Sequence, residues 1–345
     1  MNMNGWLLKS AGLAAAILCL STALSCTMVT ADQDPPGAQQ GSVRPNDPAT
    51  QPTAAWKPGV ILSADTGEPS SIEDWLPGLR GFDVIYLGEE HQNPEHIKAA
   101  LLVLRSLLAQ GRRPLLGMEM FSWDGQPALD RYVAGETDAD QQFLEAVRWK
   151  QNWGGSFEDY APLVVFAREH KLPVLALNPP RPLVRNVVKD GVEAVAKGEE
   201  AARWGMRGEE LVEDAGYREA IIGQLKACHG GGTDRDYEGM YEASLFRDEG
   251  MAKTIADSLA RMATEGDPAR GPFVSYTGGG HIQYRLPVPG RVQRRVGPGV
   301  KQVTIYMTSF DPARTDEVRD QLTRHIADYL WLTPVGPQGP PRRCR

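Results

Sequence analysis

A chain of 345 residues, 41% of them hydrophobic, is long enough to bury a sizeable core in one large or two modest domains, which excludes a fibrous or wholly disordered protein. Its net charge of -7, its pI near 5.5 and the lack of any dense Lys/Arg run argue against nucleic acid as a partner. Four cysteines, at 19, 26, 228 and 344, show no metal-ligand spacing; no disulfide framework is expected, and a Cys228–Cys344 pair is disfavoured because Cys344 ends a polar tail.

The chain opens with Lys9, an apolar run over 11–20, small residues and Cys26, the layout of an export signal over residues 1–26. That run is shorter than the about 20 residues of a membrane span, so no transmembrane helix is expected. Ala23-Leu24-Ser25-Cys26 resembles a bacterial lipobox, in which cleavage leaves Cys26 as a lipidated N-terminus. The expectation is an exported protein of the bacterial cell envelope, lipid-anchored at the outer membrane through one chain end and touching the membrane only there. Residues 27–55 are Pro, Gln, Gly, Ser and Asp with few apolar side chains, too few to offset the entropy of ordering, and read as a disordered tether. Residues 333–345 read as a disordered tail, which leaves 56–332 as the folded domain.

Within that domain, short apolar runs over 84–87, 115–118, 174–177, 273–276 and 303–307 are bounded by Gly or Pro. They alternate with amphipathic stretches over 95–109, 143–149, 160–170 and 182–196. Continuous apolar strands alternating with helices predict an α/β fold, a mostly parallel sheet flanked by helices. Residues 203–263 are more polar, with a break at His229-Gly230-Gly231-Gly232, and are expected to form a helical insertion covering the C-terminal ends of the strands.

Ligands of open parallel sheets gather at those ends, where the strand-to-helix turns project to one side. The predicted ends read Gly88-Glu89-Glu90-His91, Gly117-Met118-Glu119, Asn178-Pro179-Pro180-Arg181 and Gly278-Gly279-Gly280-His281. Gly-x-x-His occurs twice, and a glycine there permits a tight turn that brings the histidine over the sheet. His91, Glu119 and His281 could hold a divalent metal; alternatively the group could act as base and stabiliser around a ligand, with Glu89 or Glu90 as base. The plainer readings are a helix cap for Glu119 and a turn for Asn178. His96, His170 and His325 read as surface or satisfied histidines, and Trp149 and Trp153 as core or pocket-wall aromatics.

In this order Leu87-Gly88-Glu89-Glu90-His91-Gln92-Asn93-Pro94, Gly117-Met118-Glu119-Met120, Trp149 and Trp153, Leu177-Asn178 and Gly279-Gly280-His281-Ile282 resemble the ChaN-type haem-binding lipoprotein family across residues 81–307. A more distant likeness is to TIKI/TraB proteins and erythromycin-esterase-like enzymes. Gln92 and His96-Ile97 depart from the family pattern, which often has Asp after the first histidine and paired histidines a few residues on. The resemblance implies haem binding in haem or iron uptake, haem stacked between two protomers of a homodimer, and Glu89, His91, Glu119, Asn178 and His281 in the site. Haem requires an axial His, Tyr, Met or Cys, an apolar slot and cations or donors for its propionates. The insertion offers Tyr217, Tyr237, Tyr241 and Met240, with Arg218 and Arg235 nearby, while the lack of Cys-x-x-Cys-His excludes covalent haem attachment. Two other readings compete: a metal-dependent hydrolase, an esterase or peptidase using the same Glu/His pocket, and a structural lipoprotein that keeps the fold without the chemistry.

Overall fold

The computed structural model describes Thr53 and residues 56–138, 141–228 and 230–340. The expected export signal with Cys26, the expected tether apart from Thr53, and His229 lie outside the described residues.

The strands are β1 (Val60–Ser63), β2 (Pro69–Ser71), β3 (Val84–Glu89), β4 (Arg113–Ser122), β5 (Val174–Asn178), β6 (Arg270–Gly278), β7 (Gln302–Ser309) and β8 (Tyr329–Thr333). They form one sheet in the order β2-β1-β8-β7-β3-β6-β4-β5. The strands from β8 to β5 in that order are parallel, and β1 and β2 add an antiparallel edge. The five apolar runs are β3 to β7. Within β3, Ile85 and Leu87 enter the core on one face, Val84 and Tyr86 that on the other, as a strand covered on both sides requires.

Seven helices matter for the site or its support: α1 (Pro94–Ala109), α2 (Trp149–Asn152), α3 (Ala161–Glu169), α4 (Arg181–Asp190), α5 (Ala215–Cys228), α6 (Asp234–Glu265) and α7 (Val288–Val296). Helix α1 starts at an Asn93 cap that accepts from Glu95 N at 3.0 Å, with Pro94 just inside. A capping box between Thr233 and Asp236 opens α6, and Gly266 closes it in the left-handed region.

Several boundaries differ from the sequence expectation. The stretch over 143–149 is split between Gln141–Ala146 and α2, because Arg148 between them has φ 55°. The stretch over 182–196 breaks at Gly191, φ 88°. The insertion over 203–263 is helical and covers the strand ends as expected, with Arg247 and Asp248 meeting Glu119, Asn178 and His281; its α6 runs 32 residues, joining α5 through Tyr217, Ile221, Tyr237 and Tyr241 in its first half and packing Met251, Ala252 and Ile255 onto the sheet in its second. Thr333 belongs to β8, and Gly336 beyond it lies against the Asn93 side chain, so the expected tail starts too early. Cys228 is disulfide-bonded, contrary to expectation, and its partner cysteine lies outside the described residues. Among the described residues no helix is long and apolar enough to cross a membrane.

Candidate functional site

The C-terminal ends of β3, β4 and β5, with α4 and Arg247 of α6, line one cleft. His91, Glu119 and Asn178 line it, with Phe121, Trp153, Val184, Val188, Arg181, Arg185 and Arg247 among the others.

The two Gly-x-x-His segments do converge, each through a tight turn: Gly279–His281 forms a 3-10 turn and Asn93 N donates to Glu90 O at 3.3 Å, although none of their glycines has a positive φ. The glycines also allow close approach. A Cβ on Gly278 would stand 2.7 Å from His91 Cε1 and 3.4 Å from Glu119 Oε2, so only glycine admits both side chains beside β6.

Each imidazole is held by a carboxylate. His91 Nδ1 lies 2.7 Å from Glu89 Oε1, and Glu89 also accepts from Tyr160 at 3.0 Å and Tyr276 at 2.5 Å. His281 Nδ1 lies 2.5 Å from Asp248 Oδ1, and Asp248 in turn accepts from the Tyr217 hydroxyl. Between the imidazoles sits Glu119, buried on the face of β4 turned to α6. Its Oε2 accepts from Gly278 N at 2.6 Å; its Oε1 meets Arg247 Nη2 at 2.5 Å and lies 3.3 Å from His281 Nε2, a contact of ion-pair distance but off hydrogen-bond geometry. Asn178 fixes the arginine: its amide donates to Glu119 O at 2.6 Å and its Oδ1 accepts from Arg247 Nε at 3.0 Å. It is a bridge, not a turn residue.

Burial opposes charge on each of these groups, and the neighbours overcome it. Burial would raise the Glu119 pKa, but His281, Arg247 and His91 hold it well below the usual carboxylate range. For His281, burial is outweighed by Glu119 and Asp248 and the pKa rises to about 9. His91 is likewise raised above 6.5, with its Glu89 hydrogen bond and the charges of Glu119 and Glu89 outweighing burial and the repulsion of His281.

The remaining predicted residues stand elsewhere. Glu90 turns from the cleft, accepting from Ser309 N at 2.9 Å, Ser309 Oγ at 2.5 Å and Asn93 at 3.3 Å, so it is no base for a ligand there. Tyr217, Tyr237 and Tyr241 are buried in the cluster between α5 and α6 and line no part of the cleft. Their hydroxyls are committed to or enclosed by that packing: Tyr217 donates to Asp248, Tyr237 accepts from Gly232 N at 3.1 Å, and burial raises Tyr241 to about 12. Arg218 pairs with Glu238 and Arg235 is exposed, so neither serves the cleft. The residues that sequence reasoning missed are Arg247 and Asp248. A signal existed: Arg247-Asp248-Glu249 interrupts the run from Ser244 to Ala252, and all of it is buried. Gly250 then lets α6 close on Pro179, where a Cβ would meet Pro179 Cγ at 2.5 Å.

The metal expectation for His91, Glu119 and His281 does not fit this donor set. Both oxygens of Glu119 and Nδ1 of each histidine are engaged, and the Arg247 guanidinium occupies the place of a cation beside Glu119. Among the described residues no group of three His, Cys, Asp or Glu side chains has metal-holding geometry.

The fold defines an α/β protein with a cleft at the C-terminal ends of parallel strands. Residues 75–292 match the family described as haem-binding uptake, Tiki superfamily, ChaN, and the chain belongs to that family. Among solved structures it is similar to ChaN of Campylobacter jejuni, described in a structure of cofacial haem binding, with 18% identity, a TM-score of 0.59, and 79% of this chain and 95% of that one covered. An erythromycin esterase in its open conformation is more remote, 13% identical with a TM-score of 0.37 over 72% of this chain and 77% of that one. The chloroplastic protein RETICULATA-RELATED 5 of Arabidopsis thaliana is 22% identical over 268 residues, 74% of this chain; the chain spans only 34% of that relative's length.

Proposed function

We propose that the chain is a haem-binding lipoprotein acting in haem or iron uptake at the bacterial cell envelope, with haem seated in the cleft. One observation carries the reading within this family: the cleft sets apolar surface from Phe121, Trp153, Val184 and Val188 beside an imidazole, His91, held at Nδ1 by Glu89. Among the described residues His91 is the sole His, Tyr, Met or Cys that lines the cleft, which supports it rather than the buried tyrosines as the residue that would hold the haem iron. Bound haem would supply a redox-active iron in a broad apolar ring. Glu89 orients the imidazole, Trp153 packs edge-on against it with centroids 4.8 Å apart, and neutral His91 must release the proton its carboxylate neighbours favour. The cofacial haem binding described for ChaN of Campylobacter jejuni supports haem lying between two copies of the chain.

Titration of the purified protein with ferric haem should give a saturable shifted Soret band and a mass rising towards the dimer; an unshifted band refutes the reading. Lipid anchoring is part of the proposal, and a lipid-precursor label that survives Cys26→Ala excludes it. A hydrolase, esterase or peptidase, is the second reading, favoured by the two carboxylate–imidazole pairs around Glu119, an arrangement suited to a general base. Unchanged turnover of ester and peptide substrates by His91→Ala and Glu119→Gln would eliminate it.

A further inference from the structure

The cleft holds more positive charge than its own carboxylate balances. Its charged lining is Arg181, Arg185, Arg247 and Glu119, beside His91, in a chain whose net charge is -7. Arg247 is committed to Glu119 and Asn178. Arg181 and Arg185 differ: Arg181 Nη1 donates to the Gln151 carbonyl at 2.9 Å, and among the described residues neither guanidinium forms an ion pair. Their spacing of four places both on one face of α4, and Val184 and Val188 line the cleft from the same helix, so a cationic rim runs beside an apolar strip. Burial and then the like charges of Arg185 and Arg247 lower the Arg181 pKa, a site where positive charges crowd without a local anion. Arginine forks match carboxylate geometry, and a carboxylate placed between these two would relieve their repulsion.

We infer that Arg181 and Arg185 are the acceptor for the carboxylate groups of an apolar ligand in this cleft. On the haem reading, on which this inference rests, those groups are the propionates, and the ring lies against Val184, Val188, Phe121 and Trp153. The arginines bind and orient, and no bond is made or broken.

The test is a spectroscopic titration of the full chain with ferric haem and with its dimethyl ester, in which the propionate charges are removed. Wild-type protein should bind haem about tenfold more tightly than the ester, the order expected for two partly exposed ion pairs, and the preference should shrink at high salt. Arg181→Gln/Arg185→Gln should lose that preference while binding the ester as wild type does; Arg181→Lys/Arg185→Lys should retain part of it. Arg185→Gln alone, at an exposed position, should weaken haem a few-fold without affecting the fold. Equal affinity for haem and ester, or wild-type haem affinity in the double glutamine variant, overturns the inference and leaves haem binding standing. Binding of neither compound removes the haem reading and the inference with it.

Discussion

Strand β3 runs out into two glutamates, two histidines follow within seven residues, and the resulting pairs have opposite fates. Glu89 and His91 belong to the cleft, where Nδ1 of the imidazole meets a carboxylate and the residue forms part of the cleft wall. Glu90 and His96 belong to the packing against β7 and β8. There His96 Nδ1 accepts from Glu90 N at 2.9 Å, which makes Nε2 the protonated nitrogen, and Nε2 meets Thr333 Oγ1 at 3.0 Å. Both ring nitrogens are used internally, and burial, opposed by Glu89 and Glu95, takes the His96 pKa down to about 4. The lesson is that residue type does not distinguish a site histidine from a structural one. What distinguishes them is whether the partners stabilise charge or replace water around a neutral ring.

The sharpest way to break this contrast is at the buried charges. The cleft side depends on the Arg247 guanidinium beside Glu119, whereas the His96 side depends on hydrogen bonds to a neutral ring. Arg247→Met removes one partner of a buried pair and should cost about 3–5 kcal/mol in urea unfolding. A cost below about 1 kcal/mol would show that His281 alone balances Glu119.

Stability against pH separates the two sides next. His96 has a folded pKa near 4 against 6.5 unfolded, so the unfolded chain binds the extra proton between those values. Its contribution, about 3 kcal/mol at 1.36 kcal/mol per pKa unit, is complete above 6.5 and lost as pH falls towards 4. His281 is opposite: faced by Glu119, Asp248, Arg247 and His91, it has a folded pKa near 9, and its similar contribution is complete below 6.5 and lost as pH rises through 9. Urea midpoints measured across pH should therefore decline on both sides, with His96→Gln flattening the acid limb and His281→Gln the alkaline limb. The reverse assignment would contradict the contrast.

The sequence made the central strands legible because an apolar run closed by Gly or Pro is how a strand covered on both faces looks. It did not reveal β1, β2 or β8: β2 is Pro69–Ser71, wholly exposed, and β1 and β8 are only four and five residues long. At the site, His91, Glu119, Asn178 and His281 were legible because the end of a parallel strand is a position that can be read along the chain. Arg247 and Asp248 were not, since a helix brings them in from the side and only the fold shows which turn of α6 meets β4. The tyrosines were misread for a related reason. Aromatic side chains on a cap satisfy the need for a ligand and the need for a core equally well, and between α5 and α6 the core took them.

The most direct test of the account is a ferric haem titration of His91→Ala beside His96→Gln, followed at the Soret band. Loss of the shifted band in the first variant, with a wild-type spectrum and stoichiometry in the second, is the predicted result; an unaltered spectrum in His91→Ala would contradict the assignment of the cleft.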